Sequence, residues 1–391
     1  MKNNISKYIE HILPDIVYLA DYIFDNPEIG NAEYKACDIL TRQFSQHGFS
    51  VEIGVGNLPT AFRAAYANGT NGPTIGLLVE YDALETLGHA CGHHLQGPIA
   101  LAAALAIKNL ITDKPYKLVI YGTPAEETTS GKLTMLKNGC FKDIDLALMT
   151  HANPGTCIDI KSMAAIKYAV TFYGQASHAA LKPENGRSAL DALLLAFHGI
   201  EFLREHVPED TKIHYTVVNA GGPANSIPAK AVGSFYVRNY NSVKLREIMP
   251  RFEKIMQGAA MMTETSVQIA IEKELIAKIP CPSLNDLAMK NAAEFKLPNL
   301  LPPREKTGST DFGAVMYEVP GTCLRIDFVP LGTASHSQEY LQAGKGPVAQ
   351  NTLSYGAKAL AGICWDIIID SSLLNIIQND FMANKRAAAN S

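Results

Sequence analysis

The sequence contains little charge, and no part of it concentrates charge of one sign. Lysine, arginine, aspartate and glutamate make up 18% of its 391 residues, against about 25% in an average soluble domain. The formal net charge is −4, from 34 basic and 38 acidic residues. Without a basic cluster, the chain offers no electrostatic footprint for nucleic acid or for an anionic membrane surface. We therefore expect a small-molecule partner, no nucleic acid and no membrane.

Three other features are missing. No apolar stretch reaches the ~18 residues that usually mark a membrane helix. The polar segment 1–15 lacks the apolar core of a secretory signal. The seven cysteines follow no regular spacing, and an odd number of scattered cysteines is typical of reduced thiols rather than of a disulfide framework. Together these absences predict a cytoplasmic protein.

The sequence does contain enough apolar residues for more than one domain. Hydrophobic residues account for 47% of the chain. At roughly 150 residues per domain its length suggests two or three domains, and we expect two. Short, nearly continuous apolar segments at 74–81, 117–122 and 146–150 are typical of parallel strands covered on both faces. We expect an α/β fold with a mixed, mainly parallel sheet flanked by helices.

A different pattern begins near residue 165. Up to residue 274 it predicts the order β-α-β-β-α-β, with Pro250 kinking or restarting the second helix. The chain then returns to helix, a strand near 323–328 and a long C-terminal helix. This order predicts an inserted ferredoxin-like α+β domain at 165–274, which interrupts an α/β domain formed by 1–164 and 275–391.

Residues able to bind metals follow the predicted parallel strands. Asp82 and the segment GHACGHH (88–94) follow the first strand, Glu126 and Glu127 the second, and His151 the third. In an open parallel sheet such positions share the edge where ligands bind. Thiolate, imidazole and carboxylate together suit zinc, manganese, cobalt or nickel, whereas an all-oxygen site would suit magnesium or calcium. The adjacent glutamates fit a division of roles, because a metal-bound carboxylate cannot also accept a proton.

Several motifs, taken together, resemble one known family. The sequence contains EYDAL (80–84), GHACGH (88–93), PAEE (124–127), THAN (150–153), GQASHAALKPENGRSA (174–189), NSIP (225–228) and GSTDFG (308–313). In this order they are similar to the M20 family of metallo-aminoacylases and carboxypeptidases. Within that family they look most like the cysteine-containing branch of aminobenzoyl-glutamate hydrolase subunits and related amidohydrolases. The resemblance extends from about residue 74 to about residue 340.

The resemblance implies a hydrolase that cleaves an amide bond with two divalent metal ions, zinc or manganese, with cobalt or nickel also possible. Glu126 would be the general base for two-metal water activation. Asp82 would orient a metal-binding imidazole. The implied metal ligands are Cys91 as the bridge between the metals, Glu127 and His336 on one metal, and His93 and His151 on the other.

The resemblance also implies how the substrate is bound. His178, in the inserted domain, would reach the substrate carbonyl, often across a dimer. Asn225 and Arg238 would bind a substrate carboxylate, for which guanidinium geometry is well suited. The substrate would be a small amide or dipeptide-like molecule that joins an acyl or aminoacyl group to an amino acid or similar amine. The inserted domain would act as a lid and form a homodimer.

Three residues depart from the family pattern. Glu80 stands where many members have a histidine ligand, so His93 must take that ligand's place. Glu85 replaces the usual proline after Asp-Ala-Leu, and His94 replaces the usual Asp or Asn after Cys-Gly-His. At these positions we expect the surroundings of the metals to differ from those in other members.

Other interpretations of the same residues remain open at this point. Cys91 could be buried for packing alone, or it could be the nucleophile of a cysteine amidase with His93 as its base. The chain could also be a non-catalytic metal-binding homologue, although such a protein would have no use for Glu126. Simpler roles exist for three further residues: His336 as a surface histidine, His178 as a helix cap and Arg238 as a surface ion-pair partner.

Overall fold

The computed structural model describes residues 2–305 and 307–390. The chain forms two compact units, Met1–Lys161 with Lys278–Ser391 (unit 1) and Ser162–Ala277 (unit 2). The strands are β1 Ser50–Ile53, β2 Phe62–Asn68, β3 Thr74–Val79, β4 Tyr116–Gly122, β5 Leu146–Asn153, β6 Cys157–Ile158, β7 Ala164–Tyr173, β8 Lys212–Asn219, β9 Lys230–Asn239, β10 Ser266–Leu275 and β11 Gly321–Asp327. The helices are α1 Lys2–Asp25, α2 Tyr34–Gln46, α3 Gln96–Leu110, α4 Gly131–Lys137, α5 Ala189–Arg204, α6 Ser242–Met262, α7 Pro282–Glu294, α8 Phe312–Glu318, α9 Gln338–Ala343, α10 Pro347–Ile369 and α11 Ser371–Asn390.

Unit 1 is built on a seven-stranded sheet in the order β1-β2-β4-β3-β5-β11-β6. Its central strands β4, β3, β5 and β11 are parallel to one another. Strands β1, β2 and β6 pair antiparallel towards the two edges. The expected mixed, mainly parallel sheet is confirmed. The antiparallel strands were not predicted, because they lack the continuous apolar runs that mark the central strands.

Helices cover both faces of this sheet. Residues alternate between two cores along each strand, so Leu148 and Leu324 pack on one face and Met149 and Cys323 on the other. On the first face, α3 packs against α1 and α10, and every residue from 96 to 107 is buried. On the second face, α4 packs against α8. With both faces covered, the ends of the strands are the places where polar groups can reach a ligand.

Among the described residues, α10 is the one helix long and apolar enough to cross a membrane. We expected no unbroken apolar stretch of ~18 residues, and α10 contains none, because polar residues interrupt its apolar ones. In the structure 72% of its apolar stretch is buried, as in a core helix. The single C-terminal helix that we expected is also divided. Asp370 adopts an extended backbone that ends α10, and its carboxylate accepts a hydrogen bond from the Ser372 backbone at the start of α11 (3.0 Å).

Unit 2 has the predicted order β7-α5-β8-β9-α6-β10, with an antiparallel sheet in the order β10-β7-β9-β8. This is the ferredoxin-like arrangement. Alternate residues of β7 point to the two helices and form the core with them. Of the two alternatives that we expected at Pro250, a kink or a restart of the helix, the restart is wrong, because α6 continues through this residue. Pro250 is exposed, whereas Ile248 and Phe252 are buried beside it, so packing of the apolar face holds the helix together.

Candidate metal centre

Loops after the central strands carry the predicted residues to the carboxyl edge of the sheet in unit 1. Asp82 lies just after β3, and Glu126 and Glu127 lie just after β4. His151 lies within β5 near its end, not after it, because the strand continues to Asn153. His336 lies in the loop between β11 and α9, with a left-handed backbone (φ 59°).

Two unusual backbone positions shape these loops. Gly92, between Cys91 and His93, has φ 82°, and a Cβ on it would lie 2.6 Å from the Cβ of Ala152, so only glycine lets the loop approach β5 this closely. Ala125 has φ 61°, which costs an alanine about 1–2 kcal/mol. Its backbone N–H donates to the buried carboxylate of Glu33 (2.8 Å), and this bond holds the turn that precedes the glutamate pair.

The five predicted ligands come together in two overlapping groups. Within each group the potential ligand atoms lie within 4.8 Å of one another. Cys91 Sγ lies 3.6 Å from His151 Nε2, and His336 Nε2 lies 3.0 Å from Glu127 Oε1. The two groups share Cys91. The first group is Cys91, His93 and His151, and the second is Cys91, Glu127 and His336.

Hydrogen bonds orient the two imidazoles that flank Cys91. Nδ1 of His93 lies 3.0 Å from Oδ1 of Asp82, and Oδ2 of the same carboxylate accepts the backbone N–H of Glu127 (3.0 Å). Nδ1 of His151 donates to the carbonyl oxygen of Ala152 (2.8 Å). In each histidine the Nε2 atom is therefore left for another partner, as is usual for metal-binding imidazoles.

The donor atoms of the cluster fit divalent metal ions. Nε2 of His93 is buried and makes no hydrogen bond, although a carboxylate oxygen of Glu80 lies 3.3 Å away. A buried polar atom without a partner costs about 1–3 kcal/mol, and binding to a cation would remove that cost. One thiolate, three imidazoles and one carboxylate form a mixed donor set that suits zinc and its neighbours among the divalent metals.

Charges and hydrogen bonds within the cluster keep its members ionised. Burial by itself would raise the pKa of Cys91, but positive charge on His93 and His151 outweighs burial and lowers that pKa to about 5. Burial would also raise the pKa of Glu127, which the hydrogen bond from His336 and the charge of His93 lower to about 2. Hydrogen bonds to Cys91 and Glu127 raise the pKa of His336 to about 10. Cation binding would displace these imidazole protons, because a ligating histidine must be neutral.

The neighbouring Glu126 has the opposite environment. Burial, followed by repulsion from Glu80 and Asp311, raises its pKa well above the usual range. It can group with His93 and Glu127, or with Glu80 and Asp311, each within 4.8 Å. Two adjacent glutamates thus have pKa values shifted in opposite directions, which is a common sign of separate acid–base roles.

Glu80, the first departure from the family pattern, borders the ligand groups, because its Oε2 lies 3.3 Å from Nε2 of His93. Its Oε1 accepts a hydrogen bond from Lys132 Nζ (2.6 Å) and its Oε2 accepts one from Gln96 (2.8 Å). Lys132 also donates to Oδ1 of Asp311 (2.7 Å), and these side chains are all buried. From the sequence we had assigned Lys132 and Asp311 no role. The one sequence feature that could have indicated this role is the position of Lys132 near the start of the short helix after PAEE. A lysine buried at that place would require carboxylate partners.

The other two departures lie outside the cluster. Nε2 of His94 lies 2.8 Å from the carbonyl oxygen of Gly344, and its ring packs against Phe24 and His89, with centroids 4.9 and 5.3 Å away. Burial lowers the pKa of His94 well below the usual range, so this histidine is a neutral packing residue. Glu85 is exposed.

The three residues expected to bind substrate lie in unit 2, at two different ends of its sheet. His178 forms a β-bridge with Ser226, and the next backbone N–H donates to the carbonyl oxygen of Asn225 (3.0 Å). These contacts extend the β7–β9 pairing past the start of β9 at Lys230. Arg238 is near the other end of β9, about 26 Å from Lys230 at ~3.3 Å per residue. Its guanidinium lies 4.1 Å from the Tyr236 ring centroid, and its buried Nε makes no hydrogen bond.

Comparison with known proteins identifies the family. The sequence profile described as Peptidase family M20/M25/M40 matches residues 72–364. The chain belongs to this peptidase family. The resemblance inferred from the motifs is confirmed, and the protein is a metallo-amidohydrolase that acts on amide bonds. Family membership also indicates divalent metal ions as cofactors.

Individual M20 relatives agree over nearly the whole chain. The Xaa-Arg dipeptidase of Mus musculus is 31% identical over 399 residues, covering 97% of this chain and 92% of that protein. A p-aminobenzoyl-glutamate hydrolase subunit of Escherichia coli (strain K12) is 30% identical over 439 residues, with 93% and 91% coverage. The Bacillus subtilis YXEP protein, a dinuclear metal binding peptidase from the M20 family, has a TM-score of 0.72 at 16% identity, with 91% and 99% coverage. It shows the shared fold.

We expect Cys91 to be the first cysteine alkylated once metal ions are removed from this M20 protein. Its pKa of about 5 keeps it a thiolate at neutral pH, whereas burial raises the pKa of the partly exposed Cys140 above the usual value. In chelated protein, iodoacetamide labelling mapped by mass spectrometry should favour Cys91, at a rate nearly constant from pH 6 to 8. Labelling of Cys140, the internal control, should rise over that range.

Bound metal ions should protect Cys91 from the same reagent, because a coordinated thiolate is not free to react. Equal labelling of Cys91 with and without metals would contradict its assignment to the metal cluster. The cysteine-nucleophile interpretation predicts instead that alkylation inactivates the metal-loaded enzyme.

Proposed function

We propose that the chain hydrolyses the amide bond between an acyl or aminoacyl group and an amino acid or similar amine, with Glu126 as general base. One observation carries this proposal. A thiolate, imidazole and carboxylate cluster centred on Cys91 lies beside a second, partly buried carboxyl whose pKa is raised. The cluster supplies the ligands, and the neighbouring carboxyl supplies the proton transfer that amide hydrolysis requires.

The ligand set supports two divalent cations, zinc or manganese, with cobalt or nickel as further possibilities. When bound, the cations would polarise the amide carbonyl and lower the pKa of a water molecule towards neutrality. Asp82 keeps His93 oriented through Nδ1. The proposed ligands are Cys91 for both cations, His93 and His151 for one, and Glu127 and His336 for the other.

Glu126 moves the proton in this mechanism. Its carboxylate accepts a proton from the attacking water and donates it to the leaving amine, which must be protonated before it departs. The raised pKa makes the carboxylate a better proton acceptor than that of an ordinary glutamate. Glu127 has its pKa lowered to about 2 and is therefore the weaker base of the pair.

The separation of residues in unit 2 supports a homodimer with shared substrate sites. His178 and Asn225 lie beyond the start of β9, and Arg238 lies near its end, at a distance larger than a small amide substrate. If all three contact one substrate, some of them must come from a second copy. Strand β8 is a largely exposed sheet edge, which offers a surface for pairing.

The substrate class follows from the relatives' names and from the fold. The names of the two relatives, an Xaa-Arg dipeptidase and a p-aminobenzoyl-glutamate hydrolase, both describe amides whose amine part is an amino acid. We propose a small substrate of that kind for this chain. All seven cysteines are free thiols, which supports a reducing, cytoplasmic compartment.

Metal removal should abolish turnover of such substrates. A panel of dipeptides with C-terminal arginine, p-aminobenzoyl-glutamate and N-acyl amino acids should include at least one that the metal-loaded protein cleaves. Activity should disappear after chelation and return when manganese or zinc is added. The measurement is chromatographic detection of the released amine. Undiminished turnover in protein shown by elemental analysis to be metal-free would refute the metal requirement.

Glu126→Gln should keep the fold and the metal content but lower kcat by about 10²–10⁴-fold, the typical contribution of a general base. The amide cannot accept the water proton. Glu85→Gln is the matched control, since Glu85 is exposed and has no proposed role. Near-normal turnover of Glu126→Gln would show that another group is the base.

His178→Ala and Glu126→Gln chains should complement each other if the dimer shares its sites. Each homodimer would lack one required group at both sites, whereas a mixed dimer would contain one complete site. Mixing the inactive variants under conditions of subunit exchange should restore up to about half of the activity per mixed dimer. No recovery despite exchange proven by mass spectrometry would count against sharing.

A further inference from the structure

A buried ammonium group lies among the carboxylates beside the proposed base. Lys132 is 0% exposed, and its Nζ donates to Glu80 Oε1 (2.6 Å) and to Asp311 Oδ1 (2.7 Å). Glu80, Glu126 and Asp311 form a group whose carboxylate oxygens lie within 4.8 Å of one another. The ammonium group of Lys132 therefore supplies positive charge within a cluster of three carboxyl groups.

Without that lysine, the same three carboxyl groups could hold a divalent cation. Carboxylate oxygens at this spacing suit manganese or magnesium, and burial would strengthen the attraction. The lysine and a metal ion would compete for the same oxygens, because Nζ already binds one oxygen of Glu80 and one of Asp311. The ammonium thus occupies oxygens that a cation would need.

Other hydrogen bonds keep the lysine and its partners in place. The backbone N–H of Lys132 donates to Oδ2 of Asp311 (3.1 Å), so both oxygens of this carboxylate are bound to the same residue. Gln96 donates to Oε2 of Glu80 (2.8 Å) and accepts the Glu80 backbone N–H (3.0 Å). Glu126 is the member of the group that these bonds leave out.

A cation at this place would interfere with the proposed mechanism. It would coordinate Glu126, and a carboxylate whose lone pairs are coordinated cannot accept a proton. We propose that Lys132 is a positioning residue whose ammonium keeps divalent cations out of the Glu80–Glu126–Asp311 group, so that Glu126 stays free for proton transfer. The benefit to Glu126 rests on the proposed function, but the exclusion of a cation does not.

Lys132→Met tests the exclusion by counting cations. Methionine nearly matches the length of the lysine side chain and removes its charge. The variant and the wild type are equilibrated in Mn²⁺, and unbound metal is removed by gel filtration. Elemental analysis should then show one more cation per chain in the variant than in the wild type. Its kcat should fall by about 10²–10⁴-fold, with a much smaller change in KM, because proton transfer is lost rather than substrate binding.

Two further variants serve as controls. Lys278→Met removes another buried lysine, which donates to the backbone carbonyl oxygen of Asp159. Asp159 belongs to none of the candidate metal groups among the described residues, so this variant should bind no additional cation. Lys132→Met combined with Asp311→Asn leaves only two carboxyl groups in the cluster. This double variant should return to the cation count of the wild type.

The outcomes separate this inference from the proposed function. A folded Lys132→Met protein with the wild-type cation count would overturn the inference, and so would a protein that fails to fold both with and without Mn²⁺, since the lysine would then be purely structural. Folding that depends on Mn²⁺, with one additional cation, would support the inference. An additional cation with undiminished kcat would support cation exclusion but overturn the role of Glu126 as base.

Discussion

Charged side chains are buried together at the carboxyl edge of the parallel sheet, and each must find a compensating partner there. The four parallel strands all end at this edge, so the loops that follow them lie side by side and bring their side chains together. Glu33 is fully buried and accepts hydrogen bonds from Thr60 and from the Ala125 backbone, both at 2.8 Å. Lys132 forms ion pairs with both Glu80 and Asp311. Removing one member of such a set leaves a charge uncompensated at low dielectric, which typically costs about 3–5 kcal/mol.

This constraint explains how two neighbouring glutamates acquire different properties. Glu127 faces His336 and the imidazole of His93, which favour its ionised form. Glu126 faces Glu80 and Asp311, which disfavour the ionised form, while Lys132 opposes them only in part. The turn at Ala125 places the two side chains in these separate surroundings, and the hydrogen bond from Ala125 to Glu33 maintains that turn. The chemistry proposed for the pair thus depends on a backbone turn and on the buried ions beneath it.

Much of unit 1 could be predicted from local pattern, because strands covered on both faces need continuous apolar runs. Strands β3, β4 and β5 are such segments, and the structure has them close to the expected positions. The antiparallel strands β1, β2 and β6 could not be recognised in this way, since their residues are partly exposed or too few. The continuity of α6 through Pro250 was missed for a related reason: local propensity disfavours it, and burial of Ile248 and Phe252 overrides propensity.

The sequence by itself determined which chemical groups are available and in which order they occur along the chain. Cysteine, histidine and glutamate after apolar strands, in the order typical of one family, were enough to propose the ligands and the base. Tertiary structure alone decided the partners of the buried ions. Lys132 lies 52 positions from Glu80 and 179 from Asp311, and no local pattern reports a contact over such separations. The local sequence pattern can indicate that a segment is buried. Which charged residue a buried lysine or carboxylate contacts depends on how helices α4 and α8 pack on the sheet.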